Sequence, residues 1–340
     1  MRGMDWVQAF SCPERVNRGL KDKGLRLAMD HSLDPSHLLS PTALRRLARS
    51  CLLEDCPHFD WAGAVVGEGR RLATILLKSP GVLAGTPFAA AVFQELGLRA
   101  NWLRTEGEWI GDTCPVAQIW GPARHLLLAE RPVLNLLGRA GAIATVCRRA
   151  TERASSLGWR GALAGTRKTA PGLRLLEKHA MAVGGAQPHR LGLGDLIMVK
   201  DNHLAVVGDV DKAVRDARAF AGIFCKVEVE VSSLEEARQA ARAHADIVML
   251  DNLTPQDVRE TARALKEEFP TLLIEASGGI TEETLPLYLC PFVDVISLGS
   301  FTQNFTALDF SMRIEPEVGG EPEPDSGIPS DRGVSRSPSD

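Results

Sequence analysis

The sequence predicts an α/β protein in two parts, a smaller N-terminal α/β layer followed by parallel βα units that converge as a barrel. Three observations predict it. At 340 residues and 44% hydrophobic composition, the chain can bury a core large enough for two domains or one large α/β domain. Beyond about residue 157, short apolar runs alternate with amphipathic helical stretches, the rhythm of a barrel or of an open doubly wound sheet. In that half, polar residues recur at the C-terminal ends of successive strands, which in a barrel meet at one mouth.

Taken in order, residues 1–40 show no sustained apolar period and read as a poorly ordered extension. Ser40-Pro41 supplies an N-cap and a proline at the first helical position, and Leu44, Leu47 and Cys51 share one face of the helix that follows. Strand-like runs at 72–78 and 116–120 flank the helical stretch FAAAVFQELG, which ends at Gly97. Residues 122–157 are helical, with Pro132 predicted to divide them into two helices. Strands are then predicted near 161–165, 196–200, 226–231, 246–250, 272–276 and 293–298, and helices near 172–183, 209–221, 233–244, 255–268 and 281–289. From 315 to 340, Pro, Gly, Ser and acidic residues predict a disordered tail.

Charge and cysteine usage narrow the function. The chain carries a net −4, but 315–340 holds seven acidic residues against Arg332 and Arg336, so the remainder is near +1. A nucleic-acid-binding surface is not its main purpose, and any positive patch is local. The seven cysteines, Cys12, Cys51, Cys56, Cys114, Cys147, Cys225 and Cys290, are irregularly spaced with no Cys-x-x-Cys pair, which excludes the usual zinc and disulfide-exchange motifs. No apolar run reaches the roughly 20 residues of a membrane span, and Asp5, Glu14, Asp22 and Asp30 are unlike a transit peptide. A cytoplasmic address is expected.

The chemistry gathers at strand ends. LIMVK runs into Lys200-Asp201-Asn202-His203, KVEVEV carries Glu230 near its end, and DIVML ends in Asp251-Asn252. LLIEA leads into Ser277-Gly278-Gly279, and VDVISL into Gly299-Ser300. Glycines 278, 279 and 299 let backbone N–H groups approach a phosphate closely. Glu230 and Asp251 suit either Mg2+, with water completing the shell, or direct stabilisation of a developing oxocarbenium-like cation. Arg167 and Lys168, adjacent in GTRKTAPGLRLL, lie just before a helix N-terminus, where two cations are unfavourable unless an anion is shared. With His189, Arg190, Lys200 and His203 in the following loops, the mouth suits a substrate bearing several carboxylates and phosphates. No cysteine or serine stands in an arrangement that would activate a nucleophile.

On these segments, with HRLGLGDLIMVKDNH, KVEVEVSSLEEA, DIVMLDN, IEASGGIT and DVISLGSFTQ in the family's order over 41–313, the chain resembles the quinolinate phosphoribosyltransferase family, and most nearly its animal members. The resemblance implies an N-terminal α/β sandwich over 41–143, joined by 301–314, and an incomplete TIM-like barrel over 144–300 that carries the active site. It implies transfer of phosphoribosyl from phosphoribosyl pyrophosphate to quinolinate, with pyrophosphate and CO2 released and nicotinate mononucleotide formed. Arg167, Lys168, His189 and Arg190 are thereby implied around the quinolinate carboxylates, and Lys200 at substrate and phosphates. Glu230 and Asp251 fall on the ribose and Mg2+ side, and Ser277, Gly278, Gly279 and Gly299 at the 5'-phosphate. Lys168, Lys200, Glu230 and Asp251 form the implied catalytic set. Arg131 matches an arginine that reaches in from a neighbouring subunit, which implies a homodimer with shared active sites or a hexamer as a trimer of dimers. Two alternatives share the resemblance: an enzyme acting on nicotinate, and a ligand-binding paralogue without turnover. The family's usual Ser-Gly-Ile-Ala reads Gly141-Ala142-Ile143-Ala144 here, which bears on close helix packing near the site, and Ala170 replaces a common threonine.

Overall fold

The computed structural model describes residues 34–315. Most of the predicted extension, 1–33, and the tail from 316 to 340 lie outside the described residues. The extension's last residues are ordered, with the Asp34 carboxylate capping a 3-10 turn over Pro35–Leu38. Glu315 is not part of a tail. Its N–H donates to the Leu72 carbonyl at 2.8 Å and its carboxylate accepts from the Thr74 hydroxyl at 2.9 Å.

The N-terminal part runs α1 (Pro41–Asp55), α2 (Trp61–Val66), β1 (Arg70–Leu77), β2 (Gly81–Val82), α3 (Thr86–Glu95), β3 (Arg99–Trp102), β4 (Trp109–Ile110), β5 (Cys114–Pro122) and α4 (Ala123–Ser156). The barrel follows as β6 (Ala162–Ala164), α5 (Arg174–Val183), β7 (Ile197–Val199), α6 (Asp201–Val207), α7 (Val210–Ala221), β8 (Val227–Val231), α8 (Leu234–Arg242), β9 (Ile247–Asp251), α9 (Pro255–Glu268), β10 (Leu273–Ser277), α10 (Leu285–Tyr288) and β11 (Val295–Ser297). The described chain ends with α11 (Ser300–Gln303) and β12 (Phe310–Ile314). The first sheet has order β12-β1-β5-β3 and is antiparallel throughout, so β12 brings the end of the described chain back beside β1, with Phe310 opposite Leu77. Side chains alternate along β1, and Ala73, Ile75 and Leu77 face inward and are buried.

Pro132 does not divide the helix. α4 is one 34-residue helix with Pro132 inside it. The lost backbone bond and ring clash cost about 3 kcal/mol. Against this, Leu126, Val133, Leu137 and Ile143 on both sides of the proline are fully buried, each contributing roughly 1.5–3 kcal/mol. The helix predicted over 281–289 is shorter than expected, only Leu285–Tyr288. Thr281 and Thr284 bond to each other across the preceding turn, the Thr284 hydroxyl accepting from the Thr281 N–H at 2.9 Å.

The second sheet has order β6-β11-β10-β9-β8-β7, every pair parallel. β6 and β7, its two ends, do not pair with each other. The segment at Gln187 fills the seam beside β6 instead, its N–H donating to the Leu163 carbonyl at 2.8 Å and its carbonyl accepting from the Gly165 N–H at 2.9 Å. The barrel is therefore incomplete, and Pro188, His189 and Arg190 continue from the seam. No helix among the described residues is long and apolar enough to cross a membrane. The six described cysteines are free thiols.

Candidate active site

Parallel pairing puts the strand ends on one rim, with Ser277 opposite Asp251 and Glu230 opposite Met249. The Lys200 ammonium, just past β7, forms an ion pair with Glu230 on β8. Asp251, at the end of β9, lies within the field of both and of Lys168. Burial and the Glu230 charge hold its carboxyl above the usual range. His203, expected as an imidazole of the mouth, is turned back: its Nδ1 accepts the Lys200 backbone N–H at 2.9 Å.

The next two strand ends form glycine turns. Gly278 has φ +104°, and a Cβ there would lie 2.4 Å from Asn252 Oδ1 and 2.5 Å from the Asn252 backbone nitrogen, so only glycine fits. The Asn252 N–H donates to the Ser277 carbonyl at 3.0 Å, which ties the β9 and β10 ends together. Around Gly279, at φ +62°, the space beside the backbone is open. Gly299 packs on Lys168, since a Cβ would stand 3.1 Å from Lys168 Cδ. The Thr302 hydroxyl donates to the Lys168 carbonyl at 2.8 Å. The last glycine turn and the first cationic loop are thereby adjacent.

That loop, which exposes Arg167 and Lys168 between β6 and α5, is anchored from below. The fully buried Glu177 carboxylate accepts the Ala170 N–H at 3.2 Å and receives Arg139 Nε at 2.7 Å from α4. Ala170 thus contributes its amide, so the missing threonine hydroxyl leaves this contact intact. Helix α5 begins at Arg174, a turn later than Pro171. Lys178 on α5 is buried and donates to the Pro188 carbonyl. Burial, followed by the charges of Arg174, Arg190 and Arg167, pushes its ammonium down to about 8. Burial and Arg167 likewise hold Arg190 below its ordinary value.

Beneath Arg190 lies a buried acid pair. His189 adopts φ +58°, its Nδ1 accepts the Arg190 N–H at 2.7 Å, and its Nε2 lies 3.2 Å from Glu275 and 3.8 Å from Glu228. Burial and the neighbouring Glu275 charge push the Glu228 carboxyl up to about 9.

Comparison with known proteins shows the family to which the chain belongs. Residues 63–141 match the N-terminal domain of quinolinate phosphoribosyl transferase, and residues 143–313 match its C-terminal domain. The chain belongs to the quinolinate phosphoribosyl transferase family. Among similar proteins, a nicotinate-nucleotide pyrophosphorylase [carboxylating] of Rattus norvegicus is 51% identical over 280 residues, covering 82% of this chain and 94% of that protein. The Homo sapiens protein of the same name is 50% identical over 277 residues, covering 82% and 93%. The solved nicotinate-nucleotide pyrophosphorylase from Francisella tularensis superposes with TM-score 0.75 at 31% identity, covering 82% of this chain and 98% of that one.

Within this quinolinate phosphoribosyl transferase fold, Arg167, Lys168, His189, Arg190, Lys200, Glu230, Asp251, Ser277, Gly278, Gly279 and Gly299 all lie on or just below one rim. Arg131 does not join them. It is exposed on α4, and none of the hydrogen bonds or ion pairs at the mouth includes it. At Gly141, where the resemblance leads one to expect serine, a Cβ would come within 2.7 Å of Leu308 Cδ1 and 2.9 Å of the Val82 carbonyl. Packing at 141 is therefore close, and Leu308 fills the space a serine would need. Sequence reasoning missed Glu228, Glu275, Lys178 and Glu177. For Glu228 a signal existed, since VEVEV puts acids two residues apart and so on one face with Glu230.

Proposed function

We propose that this protein is a carboxylating phosphoribosyltransferase that joins the ring nitrogen of quinolinate to C1 of phosphoribosyl pyrophosphate, releasing pyrophosphate and CO2 and leaving nicotinate mononucleotide, a precursor of NAD. One observation carries the reading: a single rim holds a cation cluster of Arg167, Lys168 and Arg190 backed by buried Lys178, beside the Glu230 and Asp251 carboxylates and two glycine turns. A monocarboxylate such as nicotinate needs fewer cations.

In this reading, Arg167 and Arg190 clamp the two ring carboxylates, and arginine's planar fork fixes the ring in its plane. The amides of Gly278, Gly279 and Gly299 receive the 5'-phosphate, with Lys168 against Gly299. As the bond from C1 to pyrophosphate breaks, positive charge develops on the ribose, and Asp251 and Glu230 stabilise it from the strand ends. Lys200, paired with Glu230, holds that carboxylate in place and faces the departing phosphates. The ring nitrogen attacks C1 and becomes cationic, and its charge stabilises the carbanion left on the adjacent ring carbon when that carboxylate departs as CO2; this carbon then takes up a proton from water. Positioning supplies most of the catalysis, and no covalent intermediate is needed.

Asp251 and Glu230 fit Mg2+, because they offer hard oxygens and lie close enough that Glu230 raises the Asp251 carboxyl. They would hold the ion partly through water, and it would offset charge on the pyrophosphate. Arg131 enters the mouth of a partner subunit, so the working form is a homodimer or larger assembly in the cytoplasm. The test is release of labelled CO2 from carboxyl-labelled quinolinate with phosphoribosyl pyrophosphate and Mg2+. A folded, assembled protein that released none, or that preferred nicotinate, would overturn the reading.

A further inference from the structure

Helix α5 carries two cations one turn apart, Arg174 and Lys178, where neither is favoured. A cation in the first turn meets the positive end of the helix dipole, and like charges at i and i+4 repel. Neither forms an ion pair among the described residues. Both donate instead to backbone carbonyls of the seam loop. The buried Lys178 ammonium donates to the Pro188 carbonyl, and Arg174 Nη1 donates to the Leu191 carbonyl at 3.1 Å. Those two carbonyls flank the pair His189-Arg190. The Leu191 peptide is held from its other side as well, because the Asp195 carboxylate accepts the Leu191 and Gly192 N–H groups, each at 2.8 Å.

Arg174 also reaches the first cationic loop. Its Nε donates to the Thr169 hydroxyl at 2.9 Å, and the Thr169 N–H donates to the Arg167 carbonyl at 2.9 Å. One guanidinium therefore joins the residue after Arg190 to the residue two after Arg167. The planar fork suits this span, since it presents donors in fixed directions, which an ammonium does not. Arg139 and Glu177 fasten Ala170 from below, but their bonds reach only the first loop. A ring with two adjacent carboxylates needs its two arginines at a set separation, whereas a single carboxylate does not.

We propose that Arg174 is a positioning residue that staples the two cationic loops together, so that the separation of Arg167 and Arg190 favours a ring with two adjacent carboxylates over a ring with one. The proposal rests on the substrate reading above. Arg174 acts through the two loops and not by touching the substrate.

Calorimetry on the full-length, assembled protein tests it, with quinolinate, nicotinate and phosphoribosyl pyrophosphate each titrated alone. Arg174→Ala should weaken quinolinate binding about tenfold and change the other two less than about twofold. Arg174→Lys keeps the charge but can hold only one of the two acceptors, so it should recover part of the loss; full recovery would show that charge alone suffices and would defeat the staple. Thr169→Val removes one end of the staple at nearly constant volume and should weaken quinolinate about threefold. The double variant should be no worse than Arg174→Ala, because both changes break the same bond. Unchanged quinolinate affinity in Arg174→Ala, equal losses for all three ligands, or additive losses in the double variant overturn the proposal. An unmutated protein that neither binds quinolinate nor releases CO2 from it defeats the substrate reading, and the proposal with it. One that does both, while Arg174→Ala keeps the parental preference for quinolinate, defeats the proposal alone. If Arg174→Ala does not accumulate as folded protein, Thr169→Val decides, and parental quinolinate affinity in that variant overturns the staple.

Discussion

Arg167 is exposed at the rim and helps hold neither a strand nor a helix, so its removal separates binding from folding. Arg167→Ala should lower kcat/KM for quinolinate by a factor corresponding to about 2 to 5 kcal/mol, because a substrate carboxylate is left without its partner. Its Tm should match the parent, and a variant with parental kinetics would remove Arg167 from the site. Lys178 gives a different signature. Its ammonium is pushed down to about 8 in the empty pocket, chiefly by burial, and an arriving dianion favours the charged form again. Quinolinate binding near pH 8 should therefore take up a proton, and affinity should fall as pH rises through about 8. Calorimetry in buffers of different ionisation enthalpy measures this, and a buffer-independent heat at pH 8 would contradict it. The same displacement sets the sign for stability. The folded chain binds this proton less tightly than the unfolded one, so stability rises with pH from about 8 toward the ordinary lysine value of 10.5.

Among elements, two glycines with no room for a side chain, Gly278 in a turn and Gly141 in a helix, are the sharpest tests. Gly278→Ala forces a Cβ into Asn252 at a φ of +104°, and strain of this kind costs on the order of 1–3 kcal/mol. The KM for phosphoribosyl pyrophosphate should rise more than that for quinolinate; an equal rise in both would deny this turn its phosphate. On α4, Gly141→Ser should destabilise the protein by roughly 1–3 kcal/mol through overpacking against Leu308 and the Val82 carbonyl. Thermal unfolding should show Leu308→Ala worse tolerated alone than together with Gly141→Ser, since each change compensates the volume of the other. Much of this was legible beforehand for a physical reason. Lys200, Asp251, Ser277 and Gly299 each end or follow an apolar run, where period-two burial gives way to a polar turn, and caps such as Thr254 before Pro255 mark where helices start. Glu275 was not legible, because periodicity fixes a face without showing what stands across the barrel, and for Glu228 the spacing showed only the face it shares with Glu230. β2 and β4, two residues each, are too short for any period. β12 finds β1 only through pairing across most of the chain.

For the whole molecule, the proposed entry of the exposed Arg131 into a partner subunit's mouth would make activity a property of the assembly. Arg131→Ala and Lys200→Ala subunits should each be nearly inactive alone. Dissociated and mixed, they should regain about a quarter of parental activity, because random pairing gives half mixed dimers with one complete mouth in each. If mixing restores nothing, or if Arg131→Ala alone keeps full activity, each subunit works by itself. The seam between β6 and β7 has its own bearing on what such a protein can become. A wall closed there by amide contacts at Gln187, with no strand ladder, can be respaced by lengthening or shortening 191–195, and the other five strand pairings need not be redrawn. Selection for larger fused heterocycles would begin at that join, where tolerance to insertion and choice of ring meet in one short stretch of chain.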